Sequence, residues 1–539
     1  MPSKSPSPSS SSSSESSNGS ATEHIMLKPA NNGLNITVFE DVFDHIRQYG
    51  KYQLFMLVVI QYAMLNAAGN YVFMSFASLA PMCDDPMINE LKNPCEIVAR
   101  CPANQTHAHF NSLYTDAAFI CPIVQLPHHM QTLQAIGSGI GAIVGGHMAD
   151  IFGRKWVTYA GAVQTVAFGL TGAFAVNWAM LAAAMFGMGL AYGALVDASM
   201  TLASETVGPK YRIVQTLAFQ WSLALIVSSS IAYFTGSWRS YLLAVNLICL
   251  PVLGLMLLWR ESPRWLIQKK QYHEAAKELN SLAKWNGTDV RFTENDLLVV
   301  EVASEHGTDK VYSLWHLVAN KKLVAYSVVM ALSALTVEMC VAVIILDVQI
   351  LAGNPFVNVA LYGILRLWVP FFIVFIETKG STCLGRRTLF VGSQATTALC
   401  YLAVLFLSTA SVSSSTGVAK TVIAMIGGII NSSIFFTVYK QYSIELYPTL
   451  MRAMAVGTFG VIERVGGGLA PQLVAMNKWA WPGSALAVTA FVLILSAIAG
   501  AIVLPETRNA RMPDTVDGEA MATVAEKKIS VRMAALNNH

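Results

Sequence analysis

Charged side chains are scarce in this 539-residue chain: Asp, Glu, Lys and Arg make up 12% of it, whereas a soluble domain carries about 25%. The formal net charge is only +3, which is too small to indicate nucleic acid as a partner. Hydrophobic residues make up 54% of the chain, and the mean hydropathy is +0.49. These figures exclude an ordinary soluble enzyme and a disordered scaffold, and they predict a protein embedded in a lipid bilayer.

The motifs of common enzymes and cofactor sites are also missing. The glycine-rich stretches 137–141 and 466–468 lie inside apolar runs and lack the Gly-Lys-Ser/Thr ending of a phosphate loop. Glycines in such runs allow helices to approach closely instead. No zinc-ligand spacing and no nucleophile motif occur. We therefore expect no enzyme activity, no cofactor and no metal.

Twelve apolar runs are each long enough to cross a bilayer as a helix, which takes about 20 residues. They are 53–80, 131–149, 156–176, 178–201, 213–235, 240–259, 323–347, 356–377, 388–408, 418–440, 453–474 and 483–504. The sequence thus predicts an all-α membrane protein with twelve transmembrane helices.

Composition also predicts the division of the chain. The serine-rich residues 1–40 are expected to be disordered, because they contain too little apolar surface to offset the entropy of ordering. A first six-helix half (41–259) contains a polar loop at 81–130. A charged linker (260–322), which includes a predicted amphipathic helix at 272–282, leads to the second half (323–504) and a polar tail (505–539).

Lys and Arg residues fall mostly in alternate short loops, at 154–155, 210–212, 386–387 and 452. Because basic residues accumulate in cytoplasmic loops, this pattern predicts that both termini are cytoplasmic. The polar loop 81–130 then lies on the outer side.

That outer loop contains Cys83, Cys95, Cys101 and Cys121, together with a glycosylation sequon at Asn104. Clustered cysteines and a sequon are both typical of an oxidising, extracytoplasmic segment. We therefore expect disulfide bonds and a glycan there, with the disulfide connectivity left open. The alternative is four free thiols and a chance sequon.

A duplicated pattern relates the two halves. In each half, a glutamate near the end of the fourth span precedes an arginine by seven residues. A basic pair also follows the second span of each half, and a glutamate follows the sixth. The matched residues are Glu205 and Arg212 with Glu445 and Arg452, Arg154 with Arg386, and Glu261 with Glu506. Two parallel six-helix repeats predict a substrate site between the halves, near the bilayer midplane.

The repeated charges also predict a cytoplasmic gate. Carboxylates and guanidiniums form bidentate pairs that can close a mouth, and such interfacial pairs are weak enough to separate again. The alternative is that the arginines only follow the positive-inside rule, which leaves the glutamates unexplained. The predicted gate residues are Asp150, Arg154, Glu205, Arg212, Arg386, Glu445 and Arg452.

Three motifs resemble those of a known family. The first resembles the major facilitator signature, and the other two are similar to motifs of the organic cation, organic anion and carnitine transporters, a family of solute carriers. They are Gly146-His-Met-Ala-Asp-Ile-Phe-Gly-Arg-Lys155, Arg260-Glu-Ser-Pro-Arg-Trp-Leu266 and Glu445-Leu-Tyr-Pro-Thr-Leu-Met-Arg452. The resemblance implies a plasma-membrane carrier of small organic ions that works by alternating access.

Ionisable residues within the spans need a role, because each costs about 2.5–3.5 kcal/mol on insertion scales. The resemblance places Arg464 where cation-selective relatives carry an acid and anion and carnitine transporters carry arginine, which implies anionic or zwitterionic substrates. Alternatively, Arg464 pairs internally with Glu338 or Glu463. Lys440 is expected to extend toward the interface. The predicted substrate-binding residues are Arg464, Glu338, Arg366, Gln220, Tyr362 and Tyr439.

Two other functions remain open at this stage. A carrier of neutral sugars would share part of the motif set, although the charges inside the second half argue against it. A receptor that kept the fold without transporting is the other, because neutral Thr382 occupies an acidic position of the repeated signature.

Overall fold

The computed structural model describes residues 39–89, 93–102, 106–107, 109–116, 121, 125–208, 211, 221–298, 321–346, 353–368, 385–409, 414–447 and 449–507. These residues are mainly helical. Two short strands, β1 (Met82–Cys83) and β2 (Thr106–His107), pair antiparallel, with Met82 opposite His107. The predicted disordered segment 1–40 and the tail 505–539 lie almost wholly outside the described residues.

The first half and the linker contain twelve helices within the described residues. They are α1 (Val42–Ile46), α2 (Lys51–Ala77), α3 (Pro86–Asn89), α4 (Pro94–Arg100), α5 (Leu126–Phe152), α6 (Arg154–Ala173), α7 (Trp178–Glu205), α8 (Trp221–Thr235), α9 (Trp238–Ile248), α10 (Leu250–Leu257), α11 (Pro263–Gln268) and α12 (Tyr272–Asn286). Polar caps start several of them: Asn177 accepts from the amide of Met180, and Ser237 from that of Ser240. Cys249 separates α9 from α10, and Pro251, which has no amide hydrogen to donate back to α9, lies in the first turn of α10.

The second half continues this numbering. Its described helices are α13 (Lys321–Leu346), α14 (Pro355–Leu367), α15 (Arg386–Thr409), α16 (Ser414–Ile429), α17 (Phe436–Glu445), α18 (Thr449–Trp479) and α19 (Ser484–Val503). A π-helical segment, Ile430–Phe435, joins α16 to α17 without a break. Asn431 in this segment donates to the Val337 carbonyl of α13 at 3.0 Å, so the irregular turn is fastened to a neighbouring span.

Every one of the twelve predicted spans falls on helix in the described residues. Eight helical segments there are long and apolar enough to cross a membrane, the joined α9 and α10 counting as one. The other four predicted spans correspond to α6, α8, α14 and α18. Parts of the predicted spans 213–235 and 356–377 lie outside the described residues. The chain is a predominantly helical membrane protein, and its described helices are consistent with two six-helix halves.

Small residues allow α5 and α7 to pack with their backbones in contact. A Cβ atom at Gly141 would collide with the Leu190 carbonyl, and one at Gly193 with the Ser138 carbonyl. Glycine is therefore required at these crossings. The result is a tightly packed first half.

Among the described residues, the two halves meet mainly along two helix pairs, α5 with α18 and α8 with α14. The Thr132 hydroxyl of α5 donates to the Gly468 carbonyl at 3.2 Å and accepts from Gln472 at 2.8 Å. The rings of Phe76 and Phe356 stack 5.5 Å apart between α2 and α14. These contacts lie toward the end of the bundle that contains the cysteine loop, called here the disulfide end. The opposite end, with Arg154 and Arg386, is called the gate end.

The linker helix α12 packs against the first half, as its predicted amphipathic pattern requires. Its apolar face is buried through Ala275, Leu279 and Leu282. The Asn286 side chain accepts from the Tyr52 amide at 3.1 Å and donates to the Gln53 side chain at 3.1 Å. Asn286 also begins a sequon motif, and its burial in this network leaves no room for a glycan there.

Candidate functional site: a charged cavity between the halves

A small cavity lies between the two halves and is lined by both. Its volume is about 30 Å³, enough for water but not for an organic ion. The polar and aromatic lining residues are Tyr71, Ser75, Gln131 and Trp221 from the first half and Glu338 from the second, with Gly467 of α18 completing the wall. A substrate can enter only if the halves move apart around this cavity.

Three aromatic rings of the first half form one cluster, in which Tyr71 and Trp221 line the cavity and Tyr192 packs against both. The ring centroid of Tyr71 lies 5.0 Å from that of Tyr192 and 5.5 Å from that of Trp221, and Tyr192 lies 5.9 Å from Trp221. Such clustered π-faces attract cationic groups when water is excluded. The cluster therefore offers a contact surface for a substituted ammonium or for a guanidinium.

Arg464 of α18 extends across to the first half. Its Nη2 atom lies 2.8 Å from Oδ1 of Asp197 on α7, and its guanidinium carbon lies 5.9 Å from the centroid of Tyr192. The Arg464 side chain is 17% exposed and that of Asp197 is 41% exposed. The partner of Arg464 is thus Asp197, and neither of the two glutamates considered from sequence. This ion pair joins the two halves.

Glu338 of α13 is the acidic group of the cavity lining. Its carboxylate makes no hydrogen bond or ion pair with any residue that the structure describes. Four charged side chains nevertheless influence it over longer distances: Glu463, Arg366, Arg464 and Lys440. A carboxylate placed this way can take a cationic group or accept a hydrogen bond from a substrate.

Lys440 does not extend to the interface as expected. Its Nζ atom lies 2.5 Å from Oε1 of Glu463, and it contacts the rings of Phe436 and Tyr439 at 5.4 and 5.5 Å. A nearby carboxylate on α18 compensates the charge more effectively than a long reach to the bilayer surface. Lys440 and Glu463 therefore form a pair inside the second half.

The other predicted binding residues lie in different parts of the second half or outside the described residues. Tyr362 is buried within the second half and donates to the Gly428 carbonyl at 3.2 Å, so it does not line the cavity. Tyr439 is likewise buried, beside the Lys440 ammonium. Arg366 is partly buried on α14, within electrostatic range of Glu338. Gln220 lies outside the described residues.

At the gate end, the repeated charges of the first half hold that half together. Arg154 pairs with Asp150 at 3.0 Å and with Glu205 at 3.3 Å, and its side chain is 8% exposed. The Glu261 carboxylate accepts from the backbone amides of Arg154 and Lys155 at 3.0 and 3.1 Å. A carboxylate at the amino end of α6 is favoured by the helix dipole and by the unpaired amides there.

The second half repeats this arrangement. Arg386 pairs with Glu445, and the Glu506 carboxylate accepts from the amides of Arg386 and Arg387 at 2.9 and 3.1 Å. The predicted repeat therefore extends to individual hydrogen bonds. These described gate pairs join helices within one half. Arg212 and the side chain of Arg452 lie outside the described residues.

The four cysteines of the outer loop are joined in two disulfides. Cys83 is bonded to Cys101, and Cys95 to Cys121. The first bond fastens β1 to the end of α4. Asn104 lies outside the described residues, so the glycan remains a prediction.

Sequence reasoning missed several residues around the cavity and Arg464: Tyr71, Ser75, Gln131, Tyr192 and Trp221. Each has a polar tip within an apolar span. That same signal drew attention to Gln220 and could have been applied to these positions. Asp197 is likewise a charge within an apolar span, where the sequence does not indicate its partner.

Known proteins resemble this chain in sequence and in fold. The family model for sugar (and other) transporters matches residues 129–513. Human solute carrier family 22 member 7 is 29% identical over 420 residues, covering 76% of this chain and 74% of the relative. The organic cation transporter protein of Drosophila melanogaster is 27% identical over 420 residues, with the same coverage of both chains.

Among solved structures, an inward-open conformation of the xylose transporter XylE from E. coli has a TM-score of 0.61 at 16% identity, covering 85% of this chain and 98% of that one. A likeness at this identity shows a shared fold. The resemblance of the gate motifs to organic-ion carriers is confirmed by the sequence relatives. The chain belongs to the sugar (and other) transporter family of the major facilitator superfamily.

Proposed function

We propose that this chain carries small organic ions across the plasma membrane by alternating access and catalyses no chemical reaction. The observation that supports this function best is the cavity between the halves, which places Glu338 opposite an aromatic cluster and beside an ion pair that joins the halves. A neutral solute would need no such charges, which are costly inside a bilayer. The relative named an organic cation transporter protein supports the same substrate class.

In the proposed cycle, the halves separate at one end while they close at the other. The contacts between α5 and α18 and between α2 and α14 close the disulfide end here. We propose that this end faces outward and that both termini are cytoplasmic, in accord with the basic loops. The gate residues then brace each half at the cytoplasmic mouth while the halves rock.

Substrate binding involves Arg464 and Glu338, in this proposal, with Arg366 contributing charge from α14. Tyr362 and Tyr439 act indirectly, because both are buried behind the cavity wall. Gln220 remains a proposed binding residue next to Trp221, which does line the cavity.

A pair of glycine variants on one helix tests the location of the site. A Cβ at Gly467 would lie 3.0 Å from Cγ of Glu338 and 3.6 Å from the Tyr71 hydroxyl, whereas a Cβ at Gly460 has nothing within 4 Å. Gly467→Leu fills the cavity, and overpacking costs about 1–3 kcal/mol. We therefore expect uptake to fall roughly tenfold or more, while Gly460→Leu retains it.

The measurement is uptake of labelled organic anions, cations and zwitterions into cells expressing each variant, corrected for the amount at the cell surface. Competition by unlabelled sugars is measured in parallel. Uptake of no organic ion by the wild-type chain at the surface would contradict the proposed function. Equal uptake by the two glycine variants would contradict the location of the site.

A further inference from the structure

The ion pair between Asp197 and Arg464 differs in kind from the other charge contacts of this chain. The described pairs at the gate end and the pair of Lys440 with Glu463 each join helices within one half. Asp197 belongs to α7 of the first half, and Arg464 to α18 of the second. Any motion that separates these helices must break the pair or replace one of its members.

Arg464 is already neutralised in this arrangement. Its guanidinium has a carboxylate at 2.8 Å and lies over the ring of Tyr192, with Glu338 as a second acid within electrostatic range. A guanidinium that faced an acid-free cavity would attract an anion directly. Here, an anion must compete with Asp197 for the guanidinium.

Displacement by a singly charged ligand leaves an orphan charge. An anion that takes Arg464 leaves the Asp197 carboxylate without its partner, and a cation that takes Asp197 leaves the guanidinium without its own. Arg464, at 17% exposure, is strongly unfavourable without a counter-charge. Asp197, at 41% exposure, is unfavourable to a smaller extent, because water partly screens its carboxylate. A ligand with both charges avoids this cost, because its carboxylate replaces Asp197 on Arg464 while its ammonium group replaces Arg464 on Asp197 and Tyr192.

We propose that Asp197 is the residue that determines charge selectivity at the central site: it withholds Arg464 from simple organic anions and favours zwitterions that carry a carboxylate and an ammonium group. This inference rests on the proposed transport function for its physiological meaning. Its chemical content concerns only which ligands can replace the pair. The 41% exposure of the Asp197 side chain leaves the pair accessible to a ligand.

The test uses the full-length chain, purified and reconstituted in liposomes, and three probes: labelled benzoate, tetramethylammonium and glycine betaine. Asp197→Asn frees Arg464, so we expect the ratio of benzoate to betaine uptake to rise about tenfold or more, equivalent to about 1.4 kcal/mol. Arg464→Gln frees Asp197, so the ratio of tetramethylammonium to betaine uptake should rise. The double variant should show neither gain.

Asp116→Asn is the matched control. It removes a carboxylate that also pairs with an arginine, Arg239 at 3.7 Å, but within the first half and at the disulfide end. This variant should keep the wild-type ratios. Asp197→Glu, which retains the charge, should remain closer to the wild-type ratios than Asp197→Asn.

A second measurement separates this inference from the proposed function. Stabilisation of each purified variant against heat by the same three compounds reports binding without transport. If the wild-type chain carries none of the probes, transport of these compounds is refuted, and heat stabilisation of Asp197→Asn by benzoate still decides the role of Asp197. Should Asp197→Asn fail to fold, Arg464→Gln provides the reciprocal test. Unchanged preferences in the folded single variants would overturn the inference.

Discussion

The two halves share a fold and a gate motif, but they treat their buried polar groups differently. In the first half, Asn66, Asn70 and Asn246 are at most 3% exposed and bind one another at 3.0 Å. Gln134 donates to the Asn70 carbonyl at 3.0 Å and links α5 to the same group. The first half thus holds its interior together with neutral amides.

The second half carries charges instead. Lys440 and Glu463 form a pair, Glu338 has no direct partner among the described residues, and Arg464 takes its partner from the other half. Amides that hydrogen-bond one another inside one half hold that half in one arrangement, whereas charges with partners outside their own half depend on how the halves are placed. The comparison suggests a rigid first half against which a charged second half moves.

The largest expected loss of stability distinguishes the gate residues of the first half from those of the second. Arg154→Met leaves Glu205, which is 13% exposed, without its partner, and breaking a buried pair costs about 3–5 kcal/mol. Arg386 is 21% exposed against 8% for Arg154, so water screens the attraction between Arg386 and Glu445 more strongly, and Arg386→Met should cost less. Thermal unfolding of the purified variants checks this, with Lys269→Met as an exposed control. Equal losses of stability in Arg154→Met and Arg386→Met would show that the gate residues of the two halves do not differ in this way.

The gate residues also show how much of the fold can be predicted from the sequence. Span positions follow from hydropathy, since a helix in lipid must be apolar for about 20 residues. Glu261 and Glu506 occupy matching positions in the two halves of the sequence. The structure shows the reason: each carboxylate accepts a hydrogen bond from an amide at the start of a helix. Local contacts of this kind repeat because the local sequence repeats.

The central site was less predictable for a physical reason. The contact of Asp197 with Arg464 joins helices 267 positions apart in the chain, and it depends on how two separately folded halves face each other. Hydropathy identifies both residues as costly but does not indicate which faces of α7 and α18 meet. Lys440 was misjudged for the same reason, because its partner lies on another helix.

A smaller loss of stability is expected when the amide network of the first half is disrupted. Asn246→Leu removes the acceptor of both Asn66 and Asn70, and a buried donor left without a partner costs about 1–3 kcal/mol. The triple variant, in which all three asparagines become leucine, should cost less than three such losses, because it leaves fewer orphan groups. Thermal unfolding of both variants measures the difference. Strict additivity would show that the amides do not act as one network.

The smallest effect on stability, and one of opposite sign, is expected at Glu338. Since its carboxylate has no direct partner among the described residues, Glu338→Gln removes the cost of burying a charge and should stabilise the protein by up to about 1 kcal/mol. Uptake of organic cations should fall at the same time, because the cavity loses its acid. Asn246→Leu should do the reverse, lowering stability while the surviving folded protein keeps its ion preference. If Glu338→Gln instead destabilises the chain, then Glu338 is a structural partner like the amides, and the contrast between the halves does not extend to the cavity.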